Sequence, residues 1–155
     1  MLVCVLILAG CGGSGAAKQH WQQVSAASFS FQAPVGWKVS HRGTETVASR
    51  DAELVQVAVF PLVHAYTPSL FTKIETELRA RMTAVATQTG GTLAGQSTVT
   101  AAGIRSHLYD VRVGDHVDEY VFVLRARREF QLLCRRKASS SADFCERLVS
   151  SFVLT

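Results

Sequence analysis

The sequence predicts an α+β fold: an antiparallel β-sheet, made of a strand hairpin, a central strand and a four-strand meander, packed with one long helix and a short C-terminal helix. Three observations predict it. Leu70, Phe71, Ile74, Leu78, Met82 and Val85 form one apolar stripe at helical spacing, set between stretches that alternate at period two. Four strand patterns then run from Thr92 to Arg136 with links far shorter than the dozen or so residues a parallel crossover needs, so neighbours must be antiparallel. Last, Phe144, Leu148, Val149 and Phe152 share one helical face near the end.

In chain order, Phe29-Ser30-Phe31 begins an alternation that reaches Pro34, Pro34-Val35-Gly36 makes a turn, and Trp37 to Ser40 resumes the alternation as the second strand of a hairpin. Leu54 to Leu62 carries apolar residues on both faces, Val55, Val57 and Val59 on one and Leu54, Ala58 and Phe60 on the other, which predicts a central strand. Thr67-Pro68 supplies a cap and a first-turn proline for the long helix, which runs to about Thr89 and stops at Gly90-Gly91. The meander strands are Thr92 to Thr100, Ile104 to Val113, His116 to Ala126 and Glu129 to Arg136, with turns at Ala101-Ala102-Gly103, Gly114-Asp115 and Arg127-Arg128. Gly114-Asp115 suits a two-residue hairpin loop with glycine first. Ser139-Ser140-Ser141 caps the closing helix. The folded domain is expected over residues 21–155.

Ahead of it, Leu2 to Ala9 is apolar but far short of the ~20 residues a membrane span needs, which fits the hydrophobic region of a secretory signal. Leu8-Ala9-Gly10-Cys11 looks like a bacterial lipobox. Residues 1–10 are then a lipoprotein signal peptide, Cys11 carries the lipid, and residues 11–20, rich in glycine and small residues, are a flexible tether. Extended, Gly12 to His20 reaches at most ~30 Å. No Lys or Arg precedes the apolar run, so the Met1 amine is the only positive charge there. The alternative is a plain secretory signal with an incidental cysteine. Gly10, Gly12 and Gly15 also match G-x-G-x-x-G, but the first acidic residue is Glu45 and no amphipathic helix follows, so dinucleotide binding is rejected.

The 155 residues, 48% of them hydrophobic, make one domain of ordinary size; a formal charge of +4 and a pI near 9.1, with no long basic run or aromatic-rich basic motif, give no sign of nucleic acid binding. Cys4 leaves with the signal and Cys11 is acylated, so Cys134 and Cys145 remain. Two thiols in an oxidising compartment most often pair, which would pin the last helix to the sheet. A metal pair or a redox pair is the alternative, without a C-x-x-C or a nearby His in its favour.

Phe29, Phe31, Pro34, Gly36 and Trp37, near the start of a mature lipoprotein, resemble the PsbP-like superfamily, which also holds the nuclear-import factor Mog and many bacterial envelope lipoproteins. The order of elements is similar over nearly the whole mature chain. The ending, with a cysteine on the last strand and Cys145 to Phe152 on the last helix, resembles actinobacterial members. The resemblance implies binding or scaffolding and not catalysis.

His107, Asp110, Asp115, His116, Asp118 and Glu119 crowd one hairpin, so a metal site or a metal-dependent hydrolase can be drawn there. Polar side chains are ordinary in a turn, however, and alternation sets His107 and Asp110 on opposite sides of their strand, so no metal, cofactor or catalytic residue is assigned. There is no G-x-S-x-G. Arg125, Arg127 and Arg128 gather at one turn, and Arg135, Arg136 and Lys137 at the far end of the next strand. Each cluster could meet anionic headgroups or an acidic partner, or be a solvated edge. The expected function is a non-catalytic binding or scaffold module, anchored through acylated Cys11 on the extracytoplasmic side of the cell envelope, with an envelope protein as partner. The rival is a carrier of an apolar ligand between sheet and long helix.

Overall fold

A computed structural model describes residues 19–155. The expected signal peptide (residues 1–10), Cys11 and most of the expected tether therefore lie outside the described residues. In chain order the elements are β1 (Trp21–Ser25), β2 (Phe29–Pro34), β3 (Lys38–Arg42), β4 (Glu45–Arg50), β5 (Glu53–Tyr66), a 3-10 turn (Pro68–Leu70), α1 (Phe71–Gln88), β6 (Thr92–Ala101), β7 (Ile104–Val113), β8 (His116–Lys137), α2 (Asp143–Ser151) and β9 (Val153–Leu154). They form a six-stranded antiparallel sheet in the order β3-β4-β5-β8-β7-β6 and a three-stranded sheet in the order β1-β2-β9.

Strand β8 is the axis of the large sheet, and it is doubled. Straight, its 22 residues would reach about 70 Å. Yet the Ala138 N–H donates to the Asp115 carbonyl at 2.7 Å, and Arg135 reaches Asp118 at 2.7 Å. The strand must fold back on itself, with the reversal centred between Ala126 and Arg127, where Ala126 takes a φ of +50°. The first arm pairs with β7 from His116 to Phe122 and the second pairs with β5 from Ala126 to Arg135. This is the predicted four-strand meander, and β5 is central as expected, with β4 on its other edge. Val113 pairs with His116 around Gly114, whose φ is +59°, so that loop has the two residues its sequence implied.

The long helix ends as predicted. Gly90 turns left-handed at φ +69°, its N–H reaching the Thr87 carbonyl and that of Gly91 the Ala86 carbonyl, which satisfies two of the orphan acceptors of the last turn. Leu78, Met82 and Ala86 bury against Tyr109, Val111, Tyr120 and Phe122, with Ile74 and Val85 packed at the margin. On the opposite face of the sheet, Val55, Val57, Val121, Val123, Phe130 and Leu132 meet β2 and α2 through Phe29, Phe31, Leu148 and Phe152. The large sheet is thus a middle layer between α1 and a second layer made of the small sheet and α2.

One pairing differs from expectation. Phe29–Pro34 and Lys38–Arg42 are not a hairpin: β2 pairs with β1, Trp21 opposite Pro34, while β3 pairs with β4, so Pro34-Val35-Gly36 carries the chain from one sheet to the other. Three strands were not anticipated, β1, β4 and the two-residue β9. β1 buries only Val24 among two glutamines, and β4 buries only the small Thr46 and Ala48, so neither shows a strong apolar alternation. Helix α2 starts at Asp143, whose N–H donates to the Ser141 hydroxyl, and the N-cap residue itself, Ala142, makes no side-chain bond.

Candidate functional site

Among the described residues one cluster of three neighbouring arginines has no carboxylate partner. Cys134 and Cys145 are bonded to each other, with Cα atoms 5.4 Å apart and both sulfurs in the core, so α2 is tied to the second arm of β8. Of the histidine and acid residues of the β7–β8 hairpin, all but Asp110 have a partner for the side chain, although His116 Nε2 is buried without one. His107 is buried on the α1 side, stacked on Phe71 at 3.9 Å with Nε2 3.1 Å from the Phe71 carbonyl. Asp118, 1% exposed, takes a bidentate pair from Arg135 at 2.7 Å for each bond, and Glu119 takes one from Arg136 at 2.8 Å. His116 Nδ1 meets Asp115 at 2.7 Å. Among the described residues no three His, Cys, Asp or Glu side chains converge as metal ligands.

The basic residues therefore divide. Arg135 and Arg136, grouped by sequence with Lys137, spend their charge within the domain and leave Lys137 alone exposed. Arg125, Arg127 and Arg128 stand exposed at the tip of β8, and no carboxylate side chain among the described residues forms a salt bridge with them. One Arg127 nitrogen donates to the Val63 carbonyl at 3.0 Å. These arginines rim a groove of about 500 Å³ whose apolar floor is Phe130 and Leu154, with Ser28 on the far wall. Leu154 belongs to the small sheet and Ser28 to the turn between β1 and β2, and nothing in the sequence placed them beside the β8 tip.

The tip lies at one pole of the domain and the tether enters at the other. The His20 carbonyl accepts from Val35, Trp21 pairs with Pro34, and Gln19 shares a recess with Glu53, Ser140 and Asp143. Along β5 the two poles are marked by Leu54, opposite Arg135, and Pro61, opposite Arg128, a span of about 23 Å at strand rise.

The space between α1 and the sheet is filled by the side chains described above, and the groove flanking Ile74 and Leu78 holds about 90 Å³. Small-molecule sites usually run to at least ~300 Å³, which weighs against a carrier there.

One buried electrostatic feature gives a stability prediction. Asp110 faces Glu119 across the β7–β8 pair, with Gly95 on its other side. Burial pushes the Asp110 carboxyl up, and Arg136 only partly offsets this; burial also raises Glu119, opposed by its bond to Arg136. A folded-state pKa above the unfolded one means the native state binds the extra proton, so Asp110 opposes folding at neutral pH and its penalty fades as pH falls through the folded pKa. Asp110→Asn is expected to stabilise the domain at pH 7 by a few tenths of a kcal/mol, discounted for partial exposure, and to gain nothing near pH 4. Urea unfolding at the two pH values measures it; a variant less stable than its parent at pH 7 contradicts it.

No protein-family model matches the chain, and no curated protein matches its sequence. Among solved structures, the solution structure of cyanobacterial PsbP (CyanoP) from Synechocystis sp. PCC 6803 is similar to this chain over 96% of its length and 99% of its own, with a TM-score of 0.66 and 16% identity. A crystal structure from Bacteroides thetaiotaomicron VPI-5482 covers 82% of this chain and 45% of its own, with a TM-score of 0.47 and 11% identity. The first of these shows that the fold is PsbP-like.

Proposed function

We propose that this chain is a lipid-anchored cell-envelope protein, acylated at Cys11, that works as a non-catalytic binding module for an envelope protein. The observation that carries the reading is the polarity of the domain. The chain emerges from its tether beside Gln19 and Trp21, and the exposed arginines Arg125, Arg127 and Arg128 lie at the other end of the sheet. A tether of at most ~30 Å keeps the domain close to the lipid, and the arginine tip lies at the end remote from where the tether joins. The order of apolar run, small residues, Cys11 and glycine-rich segment supports the anchor. Two or three acyl chains, at ~0.8 kcal/mol per buried methylene, would make it effectively permanent. The PsbP-like fold supports a module that binds, and the local pairing of His107, His116, Asp118 and Glu119 leaves no evident reactive constellation among the described residues.

The test is the mass and location of the native polypeptide. It is expected in the membrane fraction, beginning at a diacylglyceryl-modified Cys11, with Cys11→Ser moving it out of that fraction. Recovery from cytosol, uncut and with Cys134 and Cys145 reduced, overturns the reading.

A further inference from the structure

We infer that the groove at the β8 tip is a docking site for an acidic, partly apolar segment of a protein partner, with Arg125 and Arg128 holding its carboxylates. The inference rests on the binding-module reading above and gives that reading a surface and a partner chemistry.

Two local features make the tip unfavourable as mere structure. With the reversal centred between Ala126 and Arg127, Arg125 and Arg128 face each other across the two arms, and like charges directly opposite on a strand pair repel. The turn also holds a non-glycine residue, Ala126, at φ +50°, where glycine would relieve the crowding. Asp51 and Ala102 take the same left-handed φ, +55° and +51°, at two other turns, so the facing arginines are what set this tip apart. Further along the same strand Arg135 and Arg136 each have a carboxylate in reach, as does Arg81 on α1. An incoming anion would remove the repulsion, and guanidinium groups bind carboxylates in paired hydrogen bonds.

The floor narrows the occupant. Phe130, 3% exposed, closes the bottom, and the half-buried Leu154 is the apolar surface that the groove of about 500 Å³ offers under its charges. A free inorganic anion has no use for that surface, whereas glutamate or aspartate alternating with leucine-like residues satisfies both. Membrane headgroups are the other anionic source, but the tip points away from the end at which the tether enters.

The test uses the full mature chain in neutral detergent micelles and a short fluorescein-labelled peptide of alternating glutamate and leucine, read by fluorescence anisotropy. Saturable binding that weakens with added salt is expected. Arg125→Glu with Arg128→Glu should weaken it at least tenfold, while the charge-matched Lys73→Glu with Arg112→Glu, both exposed elsewhere, should change it less than twofold. Thermal unfolding checks that each variant folds; Arg125→Gln with Arg128→Gln replaces the reversal should it not. A peptide that fails to bind, or binds the tip variant equally, overturns the inference. So does an inert peptide combined with tip-dependent capture of micelles doped with phosphatidylglycerol, which would assign the groove to headgroups. Because the anisotropy reads the groove with or without lipid on Cys11, peptide binding upholds the groove even where the mass of the native polypeptide shows Cys11 unmodified and so overturns the anchor.

Discussion

Replacing Cys134 and Cys145 together by alanine is expected to lower folding stability by about 3 kcal/mol, the loop-closure contribution of a bridge over a segment of this size. The two cysteines are 11 residues apart in sequence, and the segment between them holds the end of β8, the serine turn and the start of α2. Without the bond, α2 is held by Leu148 and by the neighbouring Phe152, and by the polar contacts of Arg147 and Ser151 with Gln32 on β2. The helix should therefore open more often than the sheet, so amide exchange in Cys145 to Ser150 should accelerate beyond that of β5 and β8. Urea unfolding with and without reductant gives the check: reductant should lower the midpoint of the parent and leave the double variant unchanged. A parent indifferent to reductant in the unfolding transition contradicts the pairing.

Arg135→Met is expected to destabilise the domain by about 2–3 kcal/mol, below the 3–5 seen for fully buried pairs because the arginine is partly exposed. The loss comes less from the vanished attraction than from the Asp118 carboxylate, 1% exposed and left without its two bonds. Replacing both partners, Asp118→Leu with Arg135→Met, should bring stability back to within about 1 kcal/mol of the parent, since a buried ion pair is often no better than apolar side chains of similar size. Arg125→Met, at the tip, should change stability by less than about 0.5 kcal/mol. Equal losses at positions 125 and 135 in a double-mutant cycle would contradict the separation of the two arginine clusters into one that serves binding and one that serves the fold.

Much of the architecture was legible because it is written in local signals. Leu78 and Met82 repeat at helical spacing, Gly90 marks the stop, and Gly114-Asp115 fixes a two-residue loop and with it the register of β7 against β8. The small sheet was not. Its pairing of β1 with β2 depends on Trp21 meeting Pro34, and its third strand is only Val153–Leu154, so no periodicity could reveal either. The aromatic pair Phe29 and Phe31 signalled burial correctly but not which strand lay alongside.

The candidate site was half legible for a related reason. Composition alone marked both basic clusters, but which charges are neutralised depends on where β8 reverses. A turn placed at Arg127-Arg128 sets Arg135 opposite Tyr120. The observed reversal, one residue earlier, sets it opposite Asp118 and consumes its charge. The apolar floor required Leu154, brought to the tip by a second sheet that the sequence did not disclose.

The proposed orientation sets lipid at the tether end and protein at the arginine end. Photoreactive side chains placed in living cells at Val63, 82% exposed beside the tip, and at Ser141, exposed beside the tether, test it directly. Protein adducts are expected from position 63 and phospholipid adducts from position 141. Phospholipid captured at position 63, with none at 141, would contradict it.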